Sequence, residues 1–294
     1  MKQYYLGIEF GSTRVKAVLI DGEHRIVKSG DYTWKSSLEN GVWTYHMEDV
    51  QTGLRTAIRN LGELPGDISA MGISGMMHGY LAFDKDWKLL APFRTWQNTM
   101  TGEAAERLTA EFGFNVPQRW SIAHLYQAVL NGEAHVKNIA HITTLAGYVH
   151  YLLTGENVLG VGEASGMFPI DSETLDYDAA MLEKFDALTA KYGFAWTARS
   201  VLPRVLTAGQ AAGRLTRDGS AFIDGLLPAR GRRRHRHDGD ERRRAQNRQC
   251  VGRHIHLRHG RAGKAAVEGL SGDRHGHHAQ RQACRHGALQ QLHK

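Results

Sequence analysis

The sequence predicts an α/β domain over residues 1–225, followed by a basic, low-order tail over residues 226–294. Three observations carry this reading. Strand-like apolar runs come first and amphipathic helical runs follow, the pattern of a sheet covered by helices. All twenty-five Phe, Tyr and Trp residues lie at or before Phe222, so only the first part holds the large apolar side chains of an ordinary core. The charge changes at the same place: from Ala229 onward fifteen Arg and two Lys face five acidic residues, whereas the residues before it hold twenty basic and twenty-five acidic ones. The overall charge of +7 therefore describes neither part.

The elements follow in order. "YYLGIEF" and "VKAVLID" are β-runs separated by "GSTR", a hairpin with a small polar turn. "HRIVKSGDYTW" reads as a third strand. Residues 47–61 place Val50, Leu54, Ile58 and Leu61 on one face of a helix with acids in its first turn. "ISAMGIS" is a short buried-type strand that opens into "GMMHGYLAFD". Four further helices are expected over residues 102–112, 121–130, 139–153 and 179–192. No short internal repeat is present.

Several function classes are disfavoured. Both cysteines, Cys250 and Cys284, fall in the tail, so the body has no disulfide framework and suits a reducing cytoplasm. No apolar run approaches the roughly 20 residues that span a bilayer. The first residues enter a strand pattern without the features of a signal peptide. A cytoplasmic domain without membrane attachment is the expectation.

Four segments can carry chemistry. In "LGIEFGSTRVKAVLID", Gly11, Ser12 and Thr13 make a turn whose N–H groups and hydroxyls suit a phosphate, with Gly7 and Ile8 leading into it. Lys16 adds a cation, and Glu9 ends the strand where a carboxylate can hold Mg²⁺ through water. Taken alone, the same turn reads more readily as a plain structural hairpin. In "ISGMMHGYLAFD" an imidazole, His78, stands at a strand terminus, where α/β proteins build sites; a core histidine bonded to backbone is the alternative. "FRTWQNTMTG" sets Trp96 beside Gln97 and Asn98, a set suited to a polyol because sugar faces stack on aromatics and hydroxyls pair with amides. A surface loop around a buried Trp accounts for it as well. "GEASGMFPID" is a turn or part of a sugar pocket.

Taken together, in this order, the four segments resemble the N-terminal half of the FGGY carbohydrate kinases. The first matches the family's strand–turn–strand phosphate loop, Gly-Ile-Asp-x-Gly-Thr-Ser. "SGMMHG", Ser74 to Gly79, is similar to the xylulokinase-like loop Ser-Gly-Gln-Met-His-Gly. The resemblance runs from about Tyr4 to Asp224. It implies a ribonuclease H-like (actin-like ATPase) fold and phosphoryl transfer from MgATP to a sugar hydroxyl, most simply on xylulose or a related pentulose. It also implies a small-molecule sugar as the partner, neither a specific nucleic acid nor a membrane, and a homodimer in the intact family member. On this reading Gly11, Ser12 and Thr13 face the ATP phosphates and Glu9 sits near Mg²⁺. Met77, His78 and Gly79 contact the sugar, and Trp96, Gln97 and Asn98 line its pocket. Two positions depart from the family pattern: Glu9 replaces the usual Asp, and Asn98 stands where many relatives carry an acid. An actin-like or chaperone-like ATPase would share the hairpin but would not need "SGMMHG" or "RTWQN".

The family's catalytic Asp belongs to a Gly-Asp motif at the start of a second domain, near residue 230 here. Instead the chain becomes rich in Arg, His and Gly. As a nucleic-acid arm the tail would pair phosphates with Arg but has no aromatic for base stacking. As a metal segment it offers His235, His237, His254, His256, His277 and His278, in no structural-zinc spacing. The third reading is a change of translational frame. With one base lost, each new codon begins with the second base of an existing codon, which the amino acid nearly dictates: G for Arg and Gly, A for His, Asp and Glu. "RGRRRHRHDGDE", residues 230–241, then forces the first bases of EGDAGTGMTATN at all twelve positions, Gly-Asp included. Because Asp238 and Asp240 lie inside this tail, no catalytic residue is assigned.

Overall fold

The structure is a computed structural model and describes residues 3–223 and 225–227. The readings of the tail beyond Leu227 (nucleic-acid arm, metal segment, altered frame) lie outside the described residues.

Alternation in the first strands dictates the sheet. β1 (Tyr4–Phe10) buries Tyr4, Leu6, Ile8 and Phe10 on one face, and β2 (Arg14–Asp21) buries Val15, Ala17 and Leu19 on the same face. The two pair antiparallel, with Glu9 opposite Lys16 and Phe10 opposite Val15. β3 (Ile26–Thr33) continues the meander at the edge. Next comes a small hairpin, β4 (Ser37–Glu39) and β5 (Val42–Thr44), turned at Asn40-Gly41 with both residues at positive φ. That pair is a strong hairpin signal, because tight turns matching strand twist need left-handed backbone at both positions.

α1 (Met47–Arg59) lays Val50, Leu54, Ala57 and Ile58 across β2 and β3. It ends before Leu61, which still closes the core from beyond the cap. β6 (Ile68–Gly75) then pairs parallel to β1, giving the order β3-β2-β1-β6. Over this sheet lies a core that includes Trp34, Tyr45 and Phe93, together with Ile223 and Leu227 near the end of the described residues.

β7 (Leu81–Phe83) divides this core from a second one. Leu81 and Phe83 belong to the sheet core, while Tyr80 and Ala82 belong to a helical core. All four are at most 1% exposed, so the strand is buried on both faces. The helical core is built chiefly by α2 (Gly102–Phe112), α3 (Ser121–Leu130) and later α6 (Ala179–Thr189), with a 3₁₀ turn at Val136–Asn138.

The helix expected over residues 139–153 is corrected. β8 (His141–Thr143) pairs antiparallel with β7, and α4 (Leu145–Thr154) starts only after Thr144. The "HIT" stretch completes a ladder on β7, and the Thr144 hydroxyl accepts the Gly147 N–H at 3.2 Å, capping the helix. The segment expected as a helix over 179–192 is α6 followed by a 3₁₀ turn at Ala190–Tyr192. The remaining elements are β9 (Val158–Gly160), α5 (Val161–Ala164), α7 (Ala198–Val201), β10 (Arg204–Leu206) and α8 (Arg217–Phe222). β9 and β10 form a separate parallel pair. Among the described residues, no helix is long and apolar enough to cross a membrane.

Leu54 is fully buried under the sheet, whereas Ile26 on β3 is 72% exposed. Leu54→Ala is expected to cost about 2–5 kcal/mol of folding free energy. Ile26→Ala should change it by less than about 0.5 kcal/mol. Urea unfolding of both variants checks this; equal costs would contradict the placement of α1.

Candidate functional site

The turn between β1 and β2 has its carbonyls held from inside. Gly11 N–H bonds the Arg14 carbonyl at 3.0 Å, closing the turn. The indole N–H of Trp34 donates to the Gly11 carbonyl at 2.7 Å, and the Trp34 backbone N–H donates to the Thr13 carbonyl at 3.1 Å. Between them, the Tyr45 hydroxyl donates to the Ser12 carbonyl at 2.6 Å. Burial pushes the Tyr45 phenol up from its ordinary value, against the opposing effect of Ser36, so it remains a neutral donor. With its oxygens engaged from within, the turn leaves Ser12 and Thr13 exposed, the polarity an anion requires.

The neighbouring candidates divide. Ile8 is a core residue, 2% exposed, and Gly7 precedes it on the central strand. Glu9 and Lys16 face each other across β1 and β2 with a 3.6 Å ion pair, both about half exposed. Lys16 thus offsets Glu9 before either meets a ligand.

β6 brings the second segment alongside the turn. Ser74 and Gly75 pair with Glu9 and Phe10, and Met76 N–H donates to the Phe10 carbonyl at 3.0 Å, so "SGMMHG" runs beside the end of β1 next to Gly11. The chain then reverses through His78 and Gly79, at φ 72° and 97°. The first is unusual for a residue with a side chain and costs about 1–3 kcal/mol, to be covered by its surroundings. Those surroundings grip Gly79: its N–H donates to the Arg119 carbonyl at 3.0 Å, and Ser121 Oγ donates to its carbonyl at 2.6 Å.

His78 Nδ1 lies 3.3 Å from the Gly166 carbonyl. A carbonyl only accepts, so Nδ1 carries the proton and Nε2 keeps a lone pair for a hydroxyl donor. Burial lowers the His78 pKa, Gly166 partly restores it, Arg119 lowers it and Glu163 raises it. The imidazole is therefore neutral at pH 7. Gly166, in the fourth sequence segment, has no room for a side chain: a Cβ there would lie 2.9 Å from His78 Nδ1 and 3.1 Å from the Met77 methyl.

The third segment packs directly on the second. Tyr80 and Arg94 exchange backbone hydrogen bonds of 2.8 and 3.2 Å, and a Cβ on Gly79 would meet the Arg94 carbonyl at 2.6 Å. Trp96 is 46% exposed and free to stack. The Gln97 side-chain carbonyl is buried without a hydrogen-bond partner among the described residues. Asn98 corrects the sequence reading. It is 4% exposed, its Oδ1 accepts the Trp43 N–H at 2.9 Å, and its amide hydrogens go to the carbonyls of Trp43 (2.8 Å) and Thr95 (3.0 Å). With both hydrogens spent on backbone, Asn98 braces the loop instead of offering its amide to a sugar.

Behind these loops lies a polar layer that sequence reading missed. Tyr80 Oη is 2.8 Å from His135 Nε2, and Arg94 pairs with Glu133 while its guanidinium covers the Tyr80 ring. His124, fully buried on α3, has neither ring nitrogen bonded among the described residues. Burial, with Arg94 as a lesser cause, pushes its pKa down to about 3. Arg119, Ser121, Trp34 and Tyr45 were also unflagged, because each acts through contacts distant in sequence.

Comparison with known proteins gives a consistent pattern. The model of the FGGY family of carbohydrate kinases, N-terminal domain, matches residues 4–228. A glycerol kinase of Thermococcus kodakarensis is 26% identical over 230 residues, 72% of this chain and 44% of that protein. A xylulose kinase of Escherichia coli is 23% identical over 225 residues, 69% of this chain and 45% of that protein. The chain thus spans less than half the length of either relative. A crystal structure of xylulose kinase from Rhodospirillum rubrum superposes with a TM-score of 0.65 at 20% identity, over 77% of this chain and 48% of that one. At that identity the likeness speaks for the fold, the actin-like ATPase architecture expected above.

Two outcomes follow from the geometry. Gly166→Ala should shift the His78 imidazole NMR signals and destabilise the fold by about 1–3 kcal/mol. Gly160→Ala, where a Cβ meets nothing within 4 Å, should do neither. For His124, the folded value of about 3 lies below the ordinary 6.5. Between those values the unfolded chain binds the extra proton, so its contribution weakens the fold as pH falls. His124→Phe should therefore flatten the loss of stability between pH 6.5 and 4.5, by up to about 1.4 kcal/mol per pH unit. Urea midpoints across that range decide it; parallel curves would show that His124 is solvated.

Proposed function

The chain belongs to the FGGY family of carbohydrate kinases through its N-terminal domain, and we propose that the intact protein, with an in-frame second domain, transfers the γ-phosphate of ATP to a hydroxyl of xylulose or a related pentulose. The observation that supports this reading is the Met76–Phe10 hydrogen bond, which holds "SGMMHG", our sugar-facing loop, next to the β1–β2 turn, our phosphate-facing turn. A reaction that depends on positioning and charge neutralisation needs those two surfaces to adjoin.

Each group then has a task. ATP supplies the phosphoryl group, and Mg²⁺ neutralises its charge. The exposed Ser12–Thr13 edge, its carbonyls engaged from within, receives phosphate oxygens. Among the described residues no three His, Cys, Asp or Glu side chains gather to hold a metal. Glu9 is a single carboxylate, and it fits Mg²⁺ only where phosphates and water complete the shell. His78 Nε2 accepts a hydroxyl hydrogen, the Gln97 carbonyl accepts another, and Trp96 stacks on the apolar sugar face. The choice of a pentulose over glycerol rests on "SGMMHG" and on this Trp and Gln pairing. A xylulose kinase and a glycerol kinase both stand among the relatives.

We further propose that the basic tail is the second domain's coding segment read out of frame, so that the 294-residue chain binds sugar weakly and does not turn over. The nucleotide sequence across codons 225–230 checks this: a single-base change there should open a long frame beginning with the Gly-Asp peptide. The nucleic-acid reading predicts RNA affinity that falls steeply with salt and vanishes on deletion after Pro228.

Titration calorimetry tests the sugar reading. Xylulose should bind with heat, glycerol more weakly, and His78→Ala should weaken xylulose roughly twofold to tenfold, the worth of one hydrogen bond. Equal affinities for wild type and His78→Ala would remove His78 from the site, and ATP-dependent xylulose phosphorylation by this chain at kinase rates would refute the predicted inactivity.

A further inference from the structure

The phosphate-facing turn is tied to "SGMMHG" through Met76, and a separate short segment ties it to the Trp96–Gln97 loop. Thr44 and Tyr45 follow Trp43 directly. At one end of this segment, Tyr45 Oη holds the Ser12 carbonyl at 2.6 Å, and its ring lies 4.4 Å from that of Trp34, which holds Gly11. At the other end, the N–H and carbonyl of Trp43 are both bonded by the Trp96–Gln97 loop. Its N–H goes to Asn98 Oδ1, and its carbonyl accepts from Asn98 Nδ2 and from the Thr95 N–H at 3.1 Å. Three residues of extended chain thus carry hydrogen bonds to both surfaces. Tyr45, Thr44 and Asn98 are each less than 5% exposed, so these bonds are shielded from solvent on one side.

We propose that Trp43, Thr44 and Tyr45 form a strap that sets the spacing between the phosphate-facing turn and the Trp96–Gln97 loop, with Tyr45 and Asn98 as its positioning residues. The functional meaning of that spacing rests on the kinase reading; the mechanical link itself does not. An amide is required at position 98, because a carboxylate could accept from Trp43 N–H but could not donate to the Trp43 carbonyl. A displacement at Ser12 has no slack to absorb it before Asn98. A strap of this kind carries a change at one surface to the other without any direct contact between them.

The experiment uses the full chain labelled with 5-fluorotryptophan, which has six tryptophans, with the Trp96 signal assigned through Trp96→Phe. Tyr45→Phe deletes one hydroxyl at the phosphate-facing end. The expected result is a displaced or broadened ¹⁹F signal for Trp96 at the far end, while Trp196, in the helical core, is unchanged. That control separates the strap from general loosening. If Tyr45→Phe does not fold, Asn98→Asp provides the reverse reading, with the Trp34 signal displaced. An unmoved Trp96 in folded Tyr45→Phe, or an unmoved Trp34 in folded Asn98→Asp, would overturn the proposal. Xylulose titration then addresses function: Tyr45→Phe should weaken binding roughly threefold to tenfold, consistent with one lost hydrogen bond. If wild type binds no xylulose, the sugar reading fails while the ¹⁹F result still decides the strap.

Discussion

A strand buried on both faces organises the described residues. Tyr80 and Ala82 point into the helical core and Leu81 and Phe83 into the sheet core, so this short segment separates and seals both. Its backbone cannot turn to water, and its polar groups must be paired in place. Tyr80 pairs with Arg94, Ala82 accepts from Leu90, and Phe83 accepts from Ala140. Those obligations decide where the flanking loops run. Gly79 at one end and the Arg94–Asn98 loop alongside are consequently held by core packing, although their outward groups face solvent.

Rigidity in the core is what permits strain at the surface. The left-handed backbone of His78 is tolerated because Arg119, Ser121 and Gly166 restrain its neighbourhood from three directions. The same restraint selects the imidazole tautomer, since a carbonyl at Nδ1 leaves Nε2 as the acceptor. Polarity at the β1–β2 turn is arranged in a similar way. Trp34 and Tyr45 draw three consecutive carbonyls inward, and the Ser12 and Thr13 side chains are left exposed. In both places a buried aromatic or a buried glycine contact decides what an exposed polar group can do.

Legibility in the sequence followed the range of the interactions. The β1–β2 hairpin, α1, α2 and α3 were readable because period and turn chemistry are local. The Asn40-Gly41 hairpin carried a local signal as well, and it passed unread between longer elements. "YLAF" could not be read as a strand dividing two cores, because a run of four apolar residues has no alternation to reveal that both faces are covered. Residues 139–153 looked helical throughout, and only pairing with β7 drew "HIT" into a ladder. Asn98 was readable as a polar group near a Trp, but its partner Trp43 lies 55 residues away.

By itself, the sequence determined the α/β class, the order of the principal elements, the family resemblance and the place where aromatics and acidic balance end. These follow from composition, periodicity and short motifs, each contained within a few neighbouring residues. Tertiary structure alone decided which polar side chains are left without a partner and which brace the backbone. Gln97 keeps an unpaired buried carbonyl while its neighbour Asn98 is saturated, and Ile8 enters the core while Glu9 stays exposed. The physical reason is that hydrogen-bond partners and burial are settled by segments meeting across the fold, and residue type sets only what each group is able to donate or accept.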